Sequence, residues 1–289
     1  MSTQTARIDL HIHTSVSDGT DRPEQLLPII RETGIELFSV TDHDDIKAGR
    51  LIRPLLKEGD PRFLSGVEFS CRDDSGRYHV LGYGYDENAE SIRRVVEKGH
   101  ALRMIKTRAR LEYVQEAFGF RFPEEELRQL LAMDNPGKPH IGKLMVEHGY
   151  AESIGQAIHN YINGIRFRDQ FLKPEEAISG ILNAGGIPVL AHPPFGDGDE
   201  NLSREEMETR LKHVLDFGLQ GVEAFYSGFS DRRRDEVLAL AEKYRLYVTA
   251  GSDYHGANKV VMLGDTGLDR VRNQPEGLLR FLAEVADRC

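Results

Sequence analysis

The chain has 289 residues and a formal net charge of −10, from 37 Lys+Arg against 47 Asp+Glu. That balance argues against broad, sequence-independent binding to long nucleic acid, which needs a basic surface. No apolar stretch approaches the roughly 20 residues of a membrane span, and the first residues do not read as a secretory signal. The expectation is a cytoplasmic protein with no membrane partner and no evident protein partner. The two cysteines, Cys71 and Cys289, lie too far apart for a disulfide framework or a zinc ribbon, which leaves Cys71 as a packing residue.

Strand-like and helix-like runs alternate along the chain. Residues 7–12 read as a strand and 23–33 as a helix, with Pro23 in its first turn and Gly34 ending it. A strand follows at 36–40, a helix at 46–57, and strands at 63–69 and 79–85. From 89 to 168 the rhythm breaks. Apparent helices at 89–118, 123–132, 139–148 and 153–162 succeed one another without a convincing strand, punctuated by Gly119, Pro123, Pro136-Gly137 and Gly149. After Pro174 the alternation resumes with a helix at 175–183, a strand at 187–191, a helix at 203–217 and a strand at 221–225. A helix at 231–244, a strand at 246–250 and a last amphipathic helix at 276–286 complete it. Such alternation predicts βα units around a parallel sheet. The expected organisation is a barrel whose first part spans 1–88 and whose second part spans 169–289, with a helical insertion at 89–168.

Six histidines and three carboxylates stand at or just beyond the ends of short apolar runs. They are His11 and His13 in Ile-Asp-Leu-His-Ile-His, Asp18 in Ser-Asp-Gly, His43 in Thr-Asp-His and Glu68 in Gly-Val-Glu. The others are His79 in Tyr-His-Val-Leu, His192 in Ala-His-Pro, and Asp253 and His255 in Asp-Tyr-His. A strand alternates its faces, so His11 and His13 point the same way, as do Asp253 and His255. Active sites of parallel α/β folds collect at the C-terminal strand ends, where most of these residues fall. Imidazoles and carboxylates converging on one rim read as a metal site.

With those residues in view, the chain resembles the PHP family, named for polymerase and histidinol phosphatase. The resemblance runs through His11-Ile12-His13, Thr41-Asp42-His43, Ala191-His192-Pro193 and Asp253-Tyr254-His255, and covers the chain nearly end to end. It is nearest to the small-phosphoesterase branch that includes the 3′,5′-nucleotide bisphosphate phosphatases, through Ser17-Asp18-Gly19 and Pro139-His140-Ile141. The resemblance implies a distorted (β/α)7 barrel with an inserted all-helical subdomain and a trinuclear centre of divalent metal ions. Carried over, one ion would be held by His11, His13, Glu68 and Asp253. A second would use Glu68, His79 and His192 with Glu68 bridging, and a third Asp18, His43 and His255. Many relatives have His where Asp18 stands, and an oxygen ligand makes that site harder, favouring manganese or magnesium there. Manganese is the expected metal, with zinc, iron or magnesium as alternatives.

A phosphate monoester dianion repels nucleophiles, so attack needs cations that neutralise its oxygens and acidify a water, from a pKa of 15.7 to roughly 7. The expected nucleophile is a metal-bridging hydroxide held by Glu68 and its neighbours, attacking phosphorus in line. The expected substrate is a small phosphorylated molecule, a 3′,5′-nucleotide bisphosphate hydrolysed at its 3′-phosphate. The alternatives are 5′–3′ exonuclease or phosphodiesterase action on short oligonucleotides, and histidinol-phosphate phosphatase. Lys138, His140 and Lys143, at the start of a Pro-initiated helix, are the expected contacts for a second phosphate. Arg232, Arg233 and Arg234 read either as a substrate contact or as a solvated helix face. His100, His148, His159 and His213 read as surface or helix-end residues. Asp42 is expected to orient a ligand, Asp44 and Asp45 to cap the following helix, and Asp9 to fix a barrel position or a ligand imidazole.

Overall fold

The computed structural model describes residues 7–196 and 201–289; the first six residues, part of the segment on which the reading against a secretory signal rests, lie outside the described residues. The chain opens with β1 (Ile8–Ile12), all five residues buried. Helix α1 (Pro23–Thr33) starts on Pro23 and ends at Gly34, whose φ of 72° is the left-handed conformation a helix C-terminus requires. After β2 (Leu37–Val40), α2 (Lys47–Ile52) is shorter than expected and passes into a 3-10 turn at Arg53–Leu55. Pro54 explains the shortening, because it donates no backbone hydrogen bond and crowds the preceding turn.

The strand expected at 63–69 is two strands. β3 (Arg62–Phe63) pairs with β2, and β4 (Gly66–Asp73) opens a different sheet. β4 turns at Gly76 (φ 133°) into β5 (Gly76–Tyr83), making an antiparallel hairpin. Helices α3 (Glu90–Phe118), α4 (Glu124–Leu131), α5 (Lys138–Glu147) and α6 (Ile154–Asn160) follow. Then come α7 (Pro174–Asn183), β6 (Ile187–Leu190), α8 (Arg204–Leu215), β7 (Gly221–Tyr226), α9 (Asp231–Lys243), β8 (Tyr247–Gly251) and α10 (Glu276–Glu284).

The fold is mixed α/β. One sheet has the order β1-β2-β3, all parallel; the other has the order β4-β5-β6-β7-β8. The expected all-parallel arrangement fails at β5, which is antiparallel to both β4 and β6; β6, β7 and β8 are parallel. The hairpin is the cause: the connection at Gly76 is too short for a crossover helix, so the chain must reverse. Two isolated bridges join the sheets: Ile12 of β1 to Tyr254 beyond β8, and His43, just past the central strand β2, to Glu68 of β4. Asp253 N donates to the His11 carbonyl at 2.8 Å, and Asp44 N to the Glu68 carbonyl at 2.9 Å. Both junctions run through sequence-predicted site residues.

Strand and helix side chains such as Leu10, Val67, Tyr83, Ile181, Val222 and Phe281 form the largest apolar core, while Leu111, Val114, Ile141 and Met145 belong to a separate cluster among the helices after β5. Cys71 is fully buried in the main core, as its packing role requires. No helix among the described residues is long and apolar enough to cross a membrane.

Candidate metal centre

Asp18 enters the site on a tight loop. Asp42 accepts from Thr14 N (2.8 Å), Thr14 Oγ1 (2.6 Å) and Ser17 Oγ (2.5 Å), pinning both ends of the turn that carries Asp18. Asp42 therefore orients Asp18 by holding the loop that carries it. A Cβ on Gly19 would lie 2.5 Å from the His13 carbonyl oxygen, so only glycine lets this loop fold back on the end of β1. On the far side Asp9 accepts from Ser252 N (2.9 Å) and Gly264 N (2.8 Å), fastening β1 to the segment that follows β8.

Glu68, 1% exposed, is the hub. Its Oε2 lies 3.1 Å from His43 Nδ1, 3.2 Å from His13 Nε2 and 3.4 Å from His11 Nε2. Its Oε1 lies 2.7 Å from His79 Nδ1 and 3.4 Å from His192 Nε2. Asp253 Oδ1 lies 3.4 Å from His11 Nε2, 3.3 Å from His13 Nε2 and 3.5 Å from His255 Nδ1. Asp18 Oδ1 lies 3.4 Å from His255 Nε2 and 3.7 Å from His13 Nδ1, and Oδ2 lies 3.8 Å from His43 Nε2. All nine residues singled out in the sequence are thus in one place. Three subsets have donor atoms mutually within 4.8 Å: His13, Asp18, His43 and His255; His11, His13 and Asp253; His43, Glu68 and His79.

These atoms are close but not hydrogen-bonded to one another in the usual way. His11 Nε2, His13 Nε2, His43 Nδ1, His79 Nδ1 and Glu68 Oε1 are buried without a hydrogen-bond partner. An orphaned buried polar atom costs about 1–3 kcal/mol, and five in one cavity fit a divalent cation as the common partner. A set of imidazole nitrogens with carboxylate oxygens suits manganese, iron or zinc. Protonation points the same way. Burial pushes His43 well below its usual pKa and His79 down to about 4, leaving both neutral. Burial works to raise Glu68 and Asp18, yet both stay well below the carboxylate range among their neighbours. Burial works to lower His13 as well, but Asp253 and Glu68 push it up to about 9. A metal entering there displaces that proton, so binding is coupled to proton release.

Several residues that build the site were not singled out in the sequence. Glu223, fully buried in β7, bonds His11 Nδ1 at 2.9 Å through Oε1 and accepts His192 N at 2.9 Å through Oε2. Tyr226 donates to Asp253 Oδ2 at 2.8 Å, and Lys259 also bonds Asp253. Arg103 from α3 reaches Asp18 Oδ2 at 3.3 Å. A single charged residue inside an apolar strand was the available cue for Glu223; Lys259 and Arg103 had none.

The expected substrate contacts divide. Lys138 lines the cavity above the site, of about 390 Å³, together with Asp18, His43, His79 and His192. His140 accepts from Gly137 N at 3.0 Å through Nδ1, which makes it a helix-capping group. Lys143 is exposed and 3.9 Å from Glu147, away from the cavity. Arg232 is exposed on α9 and pairs with Glu236, the solvated-face reading; Arg233 and Arg234 pair with Glu236 and Asp231 but are largely covered, and none of the three lines the cavity. Asp45 accepts from Lys47 N at 2.7 Å at the start of α2, as a cap. Asp44 does not cap that helix; it accepts from Ser70 N at 3.0 Å and sits 3.6 Å from Arg103. His148 and His213 pair with Glu126 and Asp73, and His100 with Asn135, all away from the centre.

The PHP domain family matches residues 9–173, more than half of the chain, and the chain belongs to that family. With it the chain falls among the metal-dependent phosphoesterases, enzymes that hydrolyse phosphoric esters. The sequence is 28% identical over 255 residues to a phosphoribosyl 1,2-cyclic phosphate 1,2-diphosphodiesterase of Eggerthella lenta, covering 86% of this chain and 94% of that protein. It is 27% identical to the 5′-3′ exoribonuclease Rnm of Salmonella typhimurium, over 89% of this chain and 87% of the relative. It is 28% identical to a 3′,5′-nucleoside bisphosphate phosphatase of Chromobacterium violaceum, over 86% and 87%. Among solved structures, a protein of Bifidobacterium adolescentis described as a metal-dependent phosphoesterase superposes with a TM-score of 0.79 at 26% identity, covering 96% of this chain and 95% of that one.

Proposed function

We propose that this enzyme removes the 3′-phosphate from a 3′,5′-nucleotide bisphosphate. The observation that carries the hydrolytic reading is the convergence of nine donor side chains, five of them imidazoles within 3.4 Å of Glu68, with five buried atoms lacking hydrogen-bond partners. The similarity to the Chromobacterium violaceum phosphatase supports the substrate. We read the nine residues as ligands of three divalent ions, manganese foremost. His11, His13, Glu68 and Asp253 would hold one, Glu68, His79 and His192 a second, and Asp18, His43 and His255 a third. When bound, such ions neutralise phosphoryl oxygens and acidify a water.

The chain's own contribution is positioning. Glu68 turns one oxygen toward His11, His13 and His43 and the other toward His79 and His192, which is the disposition a bridging carboxylate needs. Glu223 fixes the tautomer and orientation of His11, because Nδ1 must donate for Nε2 to be a free lone pair. Tyr226 and Lys259 occupy Asp253 Oδ2 and leave Oδ1 facing the imidazoles. Lys138, at the cavity wall, is a substrate contact in this reading. The bridging of the two sheets at two places supports their being arcs of one distorted barrel, formed by 1–88 and 169–289 with 89–168 inserted.

Manganese-loaded protein is expected to release inorganic phosphate from adenosine 3′,5′-bisphosphate faster than from histidinol phosphate. The similarity to Rnm makes a second reading concrete. Stepwise release of 5′-mononucleotides from a short oligonucleotide, with bisphosphates untouched, replaces the phosphatase by an exonuclease. Glu68→Ala should reduce either activity to background; near-normal turnover in that variant contradicts the proposed centre.

A further inference from the structure

The long helix α3 presents three cations to the cavity. Arg103, Lys106 and Arg110, spaced by three and four residues, fall on one face of the helix. They are 7%, 4% and 8% exposed, and all three line the same cavity as Asp18, His43 and His79. Buried charges are normally paired, because desolvation costs several kcal/mol per ion. Here the pairing is incomplete. Arg103 meets Asp18 at 3.3 Å and Asp44 at 3.6 Å, yet its Nε has no hydrogen-bond partner. Arg110 Nε also lacks one, and the guanidinium rests on the Phe167 ring at 5.1 Å. Lys106 Nζ sits 3.7 Å from the centre of the Phe171 ring. Neither Lys106 nor Arg110 forms an ion pair among the described residues. Burial pushes the Lys106 ammonium down to about 7 and Arg110 to about 9, the cost of holding cations together in a dry wall.

We propose that Arg103, Lys106 and Arg110 form a subsite for a second phosphate of the substrate, the one that is not hydrolysed. The inference rests on the phosphatase reading and deepens it: the substrate must carry a second anionic phosphate beside the scissile one. Lys138 lies in the same cavity lining, so the second phosphate meets α3 as well as the start of α5. The sequence pointed to α5 and, as one of two readings, to the start of α9, but not to α3. Guanidinium groups bind phosphate through paired N–H donors, and neither guanidinium has all of its donors engaged in the free protein. Aromatic faces under Lys106 and Arg110 support the cations without neutralising them.

The test compares manganese-loaded wild type and Arg110→Gln on adenosine 3′,5′-bisphosphate and on p-nitrophenyl phosphate, which has one phosphate. A lost charge-assisted contact should lower kcat/KM for the bisphosphate by at least about ten-fold, chiefly through KM. The single-phosphate ester should change by less than about three-fold, because the scissile group does not touch the subsite. Equal losses on both substrates, or none on either, overturn the subsite. Arg110→Leu gives a readout independent of activity. Removal of an incompletely paired buried charge should leave the thermal midpoint of the protein unchanged or raised. A lowered midpoint makes Arg110 a structural residue and overturns the proposal. If the wild type releases no phosphate at all, the substrate reading fails separately. Calorimetric binding of the same bisphosphate then decides the subsite: a ten-fold weaker affinity in Arg110→Gln upholds it, and an unchanged affinity overturns it.

Discussion

Glu223 joins β1 to His192, two residues beyond β6, through two hydrogen bonds, one to an imidazole and one to a backbone amide. Carboxylates behind metal-bound histidines typically contribute about 10–100-fold in metal affinity or activity. Glu223→Gln is therefore expected to fold normally, by circular dichroism, and to lose manganese on dialysis at concentrations the wild type tolerates. Equal metal retention would show that His11 does not depend on it. Two neighbouring positions carry backbone strain: His192 has φ 28° and Asp253 φ 56°, both in the left-handed region that side chains disfavour. That strain aims each side chain out of its strand direction and into the site. The nine donors were legible because each interrupts or ends an apolar run with a residue that strands seldom carry. Glu223, Tyr226 and Lys259 were not, since a carboxylate behind an imidazole looks in sequence like any charged or polar strand residue.

Elements set where those residues can act. The Ser17-Asp18-Gly19 loop exists because position 19 has no side chain, and the same holds at Gly251, where a Cβ would come within 2.2 Å of the His11 Cβ. Gly19→Ala should destabilise the protein by about 1–3 kcal/mol, the usual cost of forcing an atom into packed space. It should also displace Asp18. Urea unfolding measures the first effect and metal content the second; an unchanged midpoint with full metal content contradicts the account of the loop. Helix and strand positions were mostly readable, since Pro23, Gly34 and Gly119 bound their helices as the sequence suggested. The split of 63–69 into β3 and β4 was not. An apolar run shows burial, not which sheet buries it, and the reversal depends on the Asp73–Gly76 turn. The cationic face of α3 was hidden for a similar reason. Arg103, Lys106 and Arg110 belong to a helix of mixed charge, and only its packing over the cavity makes them inward-facing.

At the scale of the molecule, the centre lies where the two sheets touch, so metal binding and fold stability are linked. A ligand that binds only the folded state stabilises by RT ln(1 + [L]/Kd), about 2.7 kcal/mol at one hundred times Kd. Chelator treatment should lower the thermal midpoint, and added manganese should restore it in proportion to the logarithm of its concentration. An unmoved midpoint would separate the centre from the fold. The apolar core answers independently. Phe281, fully buried against Tyr83 at 5.6 Å between ring centroids, should cost about 3–5 kcal/mol on Phe281→Ala by denaturant unfolding, with the metal content of the folded fraction preserved. A loss below 1 kcal/mol would mean that α10 does not anchor the sheet. The most direct measurement is anomalous scattering from crystals grown with manganese. The account predicts peaks roughly 2.0–2.3 Å from the donor atoms of Glu68, His11, His13 and Asp253, with further peaks beside His79 and Asp18. Manganese bound elsewhere, with the space between these side chains empty, would contradict it.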